Sequence, residues 1–415
     1  MTANITRVNG NRLWDRLMEM ARIGATPAGG CNRQALTDED KIGRQLFEKW
    51  CAESGCRNEY DQMGNIFARR SGSDDTLPPV LIGSHLDTQP TGGKFDGVYG
   101  VLAGLEVIET LNDNGIETTH PVEVVVWTNE EGARFSPAMI GSGVFAGEFD
   151  LNYGLSREAK DGVTIGEELR RLDYAGNRPC KPFPIKAAFE AHIEQGPILE
   201  AEELVVGVVT GVQGMRWYDI ELCGDAVHAG PTPMESRRDP VMAMHGIMAR
   251  LYDLVGDYAP WGRVTFGDTR FEPGSRNTVP EKVIVALDLR HPDEEKLSEM
   301  DSRMREIVAE ESESKNVEGG VRVEWESPAV QFDTECVEAV SKAVESLEYP
   351  SMRMVSGAGH DSVYLSRVAP TSMIFVPCKG GISHNEQESA EKDELTAGCD
   401  VLLNAVLQMA GIESQ

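Results

Sequence analysis

"PPVLIGSHLDTQPTGGKFDGVYGVLAGLEVIETLNDNG", residues 78–115, decides the fold. Its opening "PPVLIGS" is an apolar run of strand character. The glycines and proline that follow prevent any regular element across 83–97. Apolar residues then recur at helical spacing as far as Gly115, which stands where a C-terminal glycine cap is expected. "PVEVVVWTNEEG", residues 121–132, reads as strand again. Strand, helix, strand is a βαβ unit, hence an α/β fold with a mixed, largely parallel sheet and helices on its faces. Ligands of such sheets bind outside the carboxyl ends of the strands. His85, Asp87 and Asp96 fall there.

With 415 residues the chain exceeds the size at which one core usually stops growing, so two domains are expected. The texture changes near residue 213. "MRWYDIELCG", "DPVMAMHGIMARLYDLVG", "RVTFGDTRFEP", "KVIVALDLRHP", "EEKLSEMDSRMREIVAEESE" and "VRVEWES" give the order β-α-β-β-α-β, the ferredoxin-like split pattern. "CVEAVSKAVESL", "SMIFVP" and "ELTAGCDVLLNAVLQMAGI" then resume the earlier alternation. The reading is a discontinuous α/β domain, 1–212 and 329–415, with a smaller α+β domain inserted at 213–328.

A net charge of −29 and a pI near 4.7 repel nucleic acid and anionic membrane, which excludes both as expected partners. No stretch approaches the roughly 20 apolar residues of a membrane span. The N-terminus lacks the central apolar block of a secretory leader and reads as an amphipathic helix carrying Leu13, Leu17 and Met20, so a cytoplasmic location is expected. Eight cysteines are scattered without a CxxC pair, against a disulfide framework or a sulfur-rich zinc site.

Four segments place metal-type ligands beside a strand end: His85 with Asp96, Glu130 with Glu131, His192, and His384. Imidazole and carboxylate suit zinc, manganese, cobalt and nickel. Singly each signal is weak, because a histidine at a strand end is usually an ordinary polar or core residue and "EE" before glycine is usually a solvated loop. Their conjunction weighs more: three of only eight histidines lie in these glycine-rich contexts.

"GSHLDTQPTGGKFDGVYGV", "TNEEGARF", "AHIEQGPILE", "AVHAGPTPM", "SRNTVP", "LDLRHPD", "SGAGHDS" and "GGISHNEQE" together resemble the amidase/hydantoinase/carbamoylase branch of the M20 family of dinuclear metallo-amidohydrolases. The likeness runs in the same order from about residue 12 to 410. His192 sets this branch apart, since the family's carboxypeptidases and aminoacylases usually carry a carboxylate there.

The resemblance implies two divalent ions per subunit, zinc first, with manganese, cobalt or nickel also suited. His85 and His192 would bind one, Glu131 and His384 the other, and Asp96 both. It implies Asp87 as the residue that orients the His85 imidazole, Glu130 as general base and His228 as a donor to the oxyanion. Substrate contacts would come from Gln195, His228, Asn277 and Arg290, with Gly359 and His360 on a wall of the site. A bidentate guanidinium such as Arg290 suits a substrate carboxylate and would offset the acidic global field locally. The inserted domain would act as a lid and join two chains in a homodimer, with His228 and Asn277 crossing to the partner's site.

The expected reaction is hydrolysis of the ureido C–N bond of an N-carbamoyl amino acid, α or β, to amino acid, carbon dioxide and ammonia. Allantoate amidohydrolysis is the alternative within the branch. An aminoacylase or peptidase is disfavoured by His192, and a non-catalytic binding module by the presence of all five ligands and the base.

Overall fold

The computed structural model describes residues 6–412. They divide into two compact units: residues up to Thr210 with those from Gln331 on, and Gly211–Val330 between them. The inserted unit is two residues wider at each end than the 213–328 read from the sequence.

Among the described residues of the first unit, nine strands form one sheet: β1 (Arg57–Tyr60), β2 (Ile66–Arg70), β3 (Val80–His85), β4 (Val122–Trp127), β5 (Ala187–Ile193), β6 (Val206–Val212), β13 (Val330–Gln331), β14 (Ser351–Ser356) and β15 (Thr371–Val376). Their order is β1-β2-β4-β3-β5-β15-β6-β13, with β14 also paired to β6. The centre, β4-β3-β5-β15, is parallel. β2 lies antiparallel to β4, and β6 antiparallel to β15.

Every residue of the four central strands is buried, as near-continuous runs of valine, isoleucine, alanine and phenylalanine require. Register sets His85 opposite Trp127 and His192 opposite Phe375, so both histidines leave the sheet at the same end. The helix Val98–Asp113 packs on β3 and against the helix Lys392–Ala410. The N-terminal helix Gly10–Met20 buries Leu13, Leu17 and Met20, the stripe its periodicity predicts. Three short helices, Ile140–Ala146, Leu151–Leu155 and Ile165–Leu172, lie between β4 and β5 and are not foreseen from the sequence.

Gly97 explains the glycine-rich loop. It caps the helix Val98–Asp113 at φ 68°, and a Cβ there would overlap the His85 ring. A side chain would meet both a strained backbone and a candidate ligand.

In the inserted unit, β7 (Gly214–Cys223), β9 (Arg263–Glu272), β11 (Lys282–His291) and β12 (Glu318–Ser327) form an antiparallel sheet in the order β12-β7-β11-β9. The helices Pro240–Gly256 and Glu294–Ser314 bury one face of it around Tyr218, Ile220, Leu251, Val285, Leu287 and Met304. A two-residue ladder, β8 (Val227–His228) with β10 (Thr278–Val279), completes it. All eight cysteines are free. No helix among the described residues is long and apolar enough to cross a membrane.

Candidate metal centre

Four chain segments converge where the central parallel strands end. β3 delivers His85 as its last residue, and the loop after it returns Asp96. Glu130 and Glu131 follow β4, His192 is the penultimate residue of β5, and His384 sits on the loop after β15. Asn129, Gln195 and His384 take positive φ (57°, 55° and 53°), an uncommon conformation for residues with a side chain. Its recurrence at three of these strand ends accords with strain gathering at functional sites.

Two groups of three donors form around one shared aspartate. His85, Asp96 and His192 offer ligand atoms within 4.8 Å of one another, and so do Asp96, Glu131 and His384. Asp96 divides its oxygens between them. Oδ1 lies 3.1 Å from His192 Nε2 and 3.8 Å from His85 Nε2, whereas Oδ2 lies 3.4 Å from His384 Nε2. Glu131 Oε2 stands 3.3 Å from the same His384 nitrogen.

The imidazoles are aimed. His85 Nδ1 lies 2.8 Å from the Asp87 carbonyl and His192 Nδ1 2.9 Å from the Ile193 carbonyl. A carbonyl only accepts, so Nδ1 carries the proton in each ring and Nε2 turns a lone pair inward. His85, Asp96 and His192 are buried; Glu131 is half-buried although its side chain is only 4% exposed, and the side chain of His384 is 53% exposed. That exposed edge leaves the centre a side open to solvent.

Electrostatics point the same way. Burial drives the carboxyls of Glu130 and Glu131 well above the usual carboxylate range, reinforced by Asp361 and Asp87 for Glu130 and by Asp96 and Asp87 for Glu131. Burial and Asp40 push Asp87 up to about 7 against the pull of Arg44. Burial opposes ionisation of Asp96 too, yet His192, His85 and His384 hold it below the normal range. Burial lowers His85 to about 4, whereas Asp96 and Glu190 outweigh burial at His192 and raise it to about 9. Such a concentration of desolvated carboxylates calls for more positive charge than the imidazoles provide, and a divalent cation would supply it. The donor set therefore fits two such ions.

Other predicted residues take different places. Asp87 orients His85 through its main-chain carbonyl. Its carboxylate, 3.9 Å from His85 Nδ1, instead accepts the amides of Glu130 and Glu131 at 3.3 and 3.2 Å. Gln195 Nε2 donates to Asp96 Oδ2 (2.9 Å) and Ser383 Oγ (3.2 Å). His360 is buried, with its ring 4.6 Å from that of His192 and Nε2 3.1 Å from Ser356 Oγ. Gly359 lies just before it in the loop after β14.

His228, Asn277 and Arg290 belong to the inserted unit. His228 and Asn277 are held together by the β8–β10 ladder and by the Ala229 amide donating to the Asn277 carbonyl (2.9 Å). His228 Nδ1 accepts the Gly230 amide at 3.1 Å, which leaves Nε2–H as a donor. Arg290 is engaged by the Asp288 carboxylate through Nε and Nη2, at 3.0 and 2.7 Å to Oδ2.

Three contributors were not read from the sequence. Gln89 donates its amide and its Nε2 to Glu131, at 3.2 and 2.8 Å. Glu190, buried in β5, accepts from Ser84 Oγ (2.8 Å) and Ser362 Oγ (2.7 Å). Glu388 accepts from the loop that carries Asp96. Gln89 and Glu388 lie inside the quoted motifs, but nothing in residue type separates them from solvated polar neighbours.

The chain matches Peptidase family M20/M25/M40 over residues 81–408. It is 48% identical to an N-carbamoyl-L-amino-acid amidohydrolase of Rhizobium meliloti over 406 residues, 98% of each chain. With an N-carbamoyl-L-amino acid amidohydrolase of Geobacillus stearothermophilus it shares 37% identity over 413 residues, 97% of this chain and 99% of the other. An amidase of the hydantoinase/carbamoylase family from Burkholderia multivorans superposes with a TM-score of 0.94 at 54% identity, covering 98% of both chains.

Proposed function

Since the chain belongs to peptidase family M20/M25/M40, we propose that it is a metal-dependent amidohydrolase cleaving the ureido C–N bond of N-carbamoyl-L-amino acids. The observation that carries the reading is the division of the Asp96 oxygens between two donor triads, with Glu130 beside them and 3.4 Å from His85 Nε2.

His85, Asp96 and His192 would hold one divalent ion and Asp96, Glu131 and His384 the other, zinc fitting these ligands first and manganese, cobalt or nickel also. Such ions supply Lewis acidity and bring the pKa of water toward about 7. Glu130 takes the proton of the attacking water on a carboxylate oxygen and returns it to the leaving nitrogen as the C–N bond breaks. The carbamic acid left by that first cleavage loses carbon dioxide, which breaks the second C–N bond, so that amino acid, carbon dioxide and ammonia result. His228 offers Nε2–H to the oxygen that gains charge at the ureido carbon. Arg290 exchanges Asp288 for the substrate carboxylate. In this reading the inserted unit serves as lid and as the joint of a homodimer.

Ammonia release from N-carbamoyl-L-amino acids, N-carbamoyl-β-alanine and allantoate, with and without chelator, tests the proposal. Chelator-sensitive release that is fastest from the N-carbamoyl-L-amino acids is the expected result. Preference for allantoate, or release indifferent to chelator, would overturn it.

A further inference from the structure

Glu388 lies four residues beyond His384 and is 4% exposed. Its Oε1 accepts the backbone amides of Phe95 (2.9 Å) and Asp96 (3.1 Å). Oε2 stands 3.1 Å from Ser383 Oγ, which is itself 2.8 Å from Asp96 Oδ2. One carboxylate thus ties the loop that presents Asp96 to the loop that presents His384. Gly93 records the closeness of the fit. A Cβ there would overlap the Glu388 carboxyl group, so the glycine makes room for this side chain.

The consequence is unequal for the two triads. His85 and His192 are fixed by strands β3 and β5 and by carbonyls on Nδ1, and Glu131 is fixed by Gln89. Asp96 and His384 both ride on loops. The triad Asp96, Glu131 and His384 takes two of its three ligands from the loops that Glu388 joins; the other takes one. We propose that Glu388 is the positioning residue that assembles the Asp96–Glu131–His384 cation site. This rests on the two-cation reading above.

The test measures zinc retained per chain after dialysis, and zinc affinity by competition with a chromophoric chelator, in wild type, E388A, E388Q, G93A and G93A/E388A. Melting of each chelated protein serves as a folding control. E388A is expected to keep one zinc tightly and to bind the second about 10–100-fold more weakly, the usual cost of losing a partner that orients a ligand. E388Q should recover most of the loss, because its carbonyl oxygen still accepts both amides and its NH2 can donate to Ser383 Oγ. G93A should mimic E388A, and the double variant should be no worse than either, because removing the carboxyl makes room for the methyl group.

E388A holding two zinc ions at wild-type affinity, or losing both alike, would overturn the assignment. So would additive losses from G93A and E388A. Should E388A fail to fold, G93A and E388Q decide by the same readouts. A wild type that holds fewer than two ions refutes the two-cation reading instead, which keeps the two failures apart.

Discussion

Glu130 and Glu131 are chemically identical neighbours that the backbone sends to different surroundings. Glu131 is clamped by two donors from Gln89 and faces His384, whereas Glu130 stands beside His85; burial holds both carboxyls well above the usual carboxylate range. In the proposed mechanism Glu131 is a ligand, which must stay ionised, and Glu130 the general base, which must cycle. E130Q should therefore lower kcat by about 10²–10⁴-fold while leaving KM and metal content near wild type. Steady-state kinetics with elemental analysis of the same sample checks this, and full activity in E130Q would remove Glu130 from the mechanism. At this scale the sequence disclosed which residue types meet, because ligand chemistry restricts them to imidazole and carboxylate. The paths by which they are held were not legible. Asp87 is the expected partner of His85, but that it acts through its main-chain carbonyl, and that Gln195 reaches Asp96 from a backbone at φ 55°, is not encoded in residue identity.

Long elements carried their periodicity openly. The helix Val98–Asp113 and the strands β3, β4, β7 and β11 follow from unbroken apolar runs or strict alternation; β11 alternates buried and partly buried residues over its whole length. Short elements did not. The β8–β10 ladder has two residues per strand, too few for any period. The helices between β4 and β5 are framed by left-handed residues at Met139 and Asp173, although Thr164 and Glu167 form a capping box that is locally encoded. The inserted unit has its own core and none of the five candidate ligands. M304A, which truncates a fully buried side chain in that core, should cost about 2–5 kcal/mol of stability in urea melts. Metal content should stay unchanged; a loss of bound metal in folded M304A would show that the centre depends on the inserted unit.

For the molecule as a whole, the centre concentrates buried carboxylates in a chain whose net charge is already −29. Burial raises Asp87 and Glu388 to about 7, and Asp96 with Glu190 raises His192 to about 9. Without cations, each binds protons in the folded state at a pH where the unfolded chain has released them. Their contribution to stability is therefore largest at lower pH and declines as pH rises through 7 and toward 9. His85, lowered to about 4, works in the opposite sense, but its effect is nearly complete once pH exceeds its unfolded value of about 6.5. Bound cations would favour the proton-free form of each group, His192 as a ligand and Asp87 and Glu388 through their nearby charge. The gap in melting temperature between metal-loaded and chelated protein should thus widen by several degrees from about pH 6 to about pH 8, read by scanning calorimetry. A gap that narrows over this range would contradict the assignment of these groups.

The most direct test of the central claim, that Asp96 is shared by two cations, is anomalous scattering from crystals of the zinc-loaded protein. Two zinc peaks per chain are expected, one about 2.0–2.2 Å from Asp96 Oδ1 with His85 and His192, the other equally near Oδ2 with Glu131 and His384. A single peak, or two peaks that do not both contact Asp96, would contradict it.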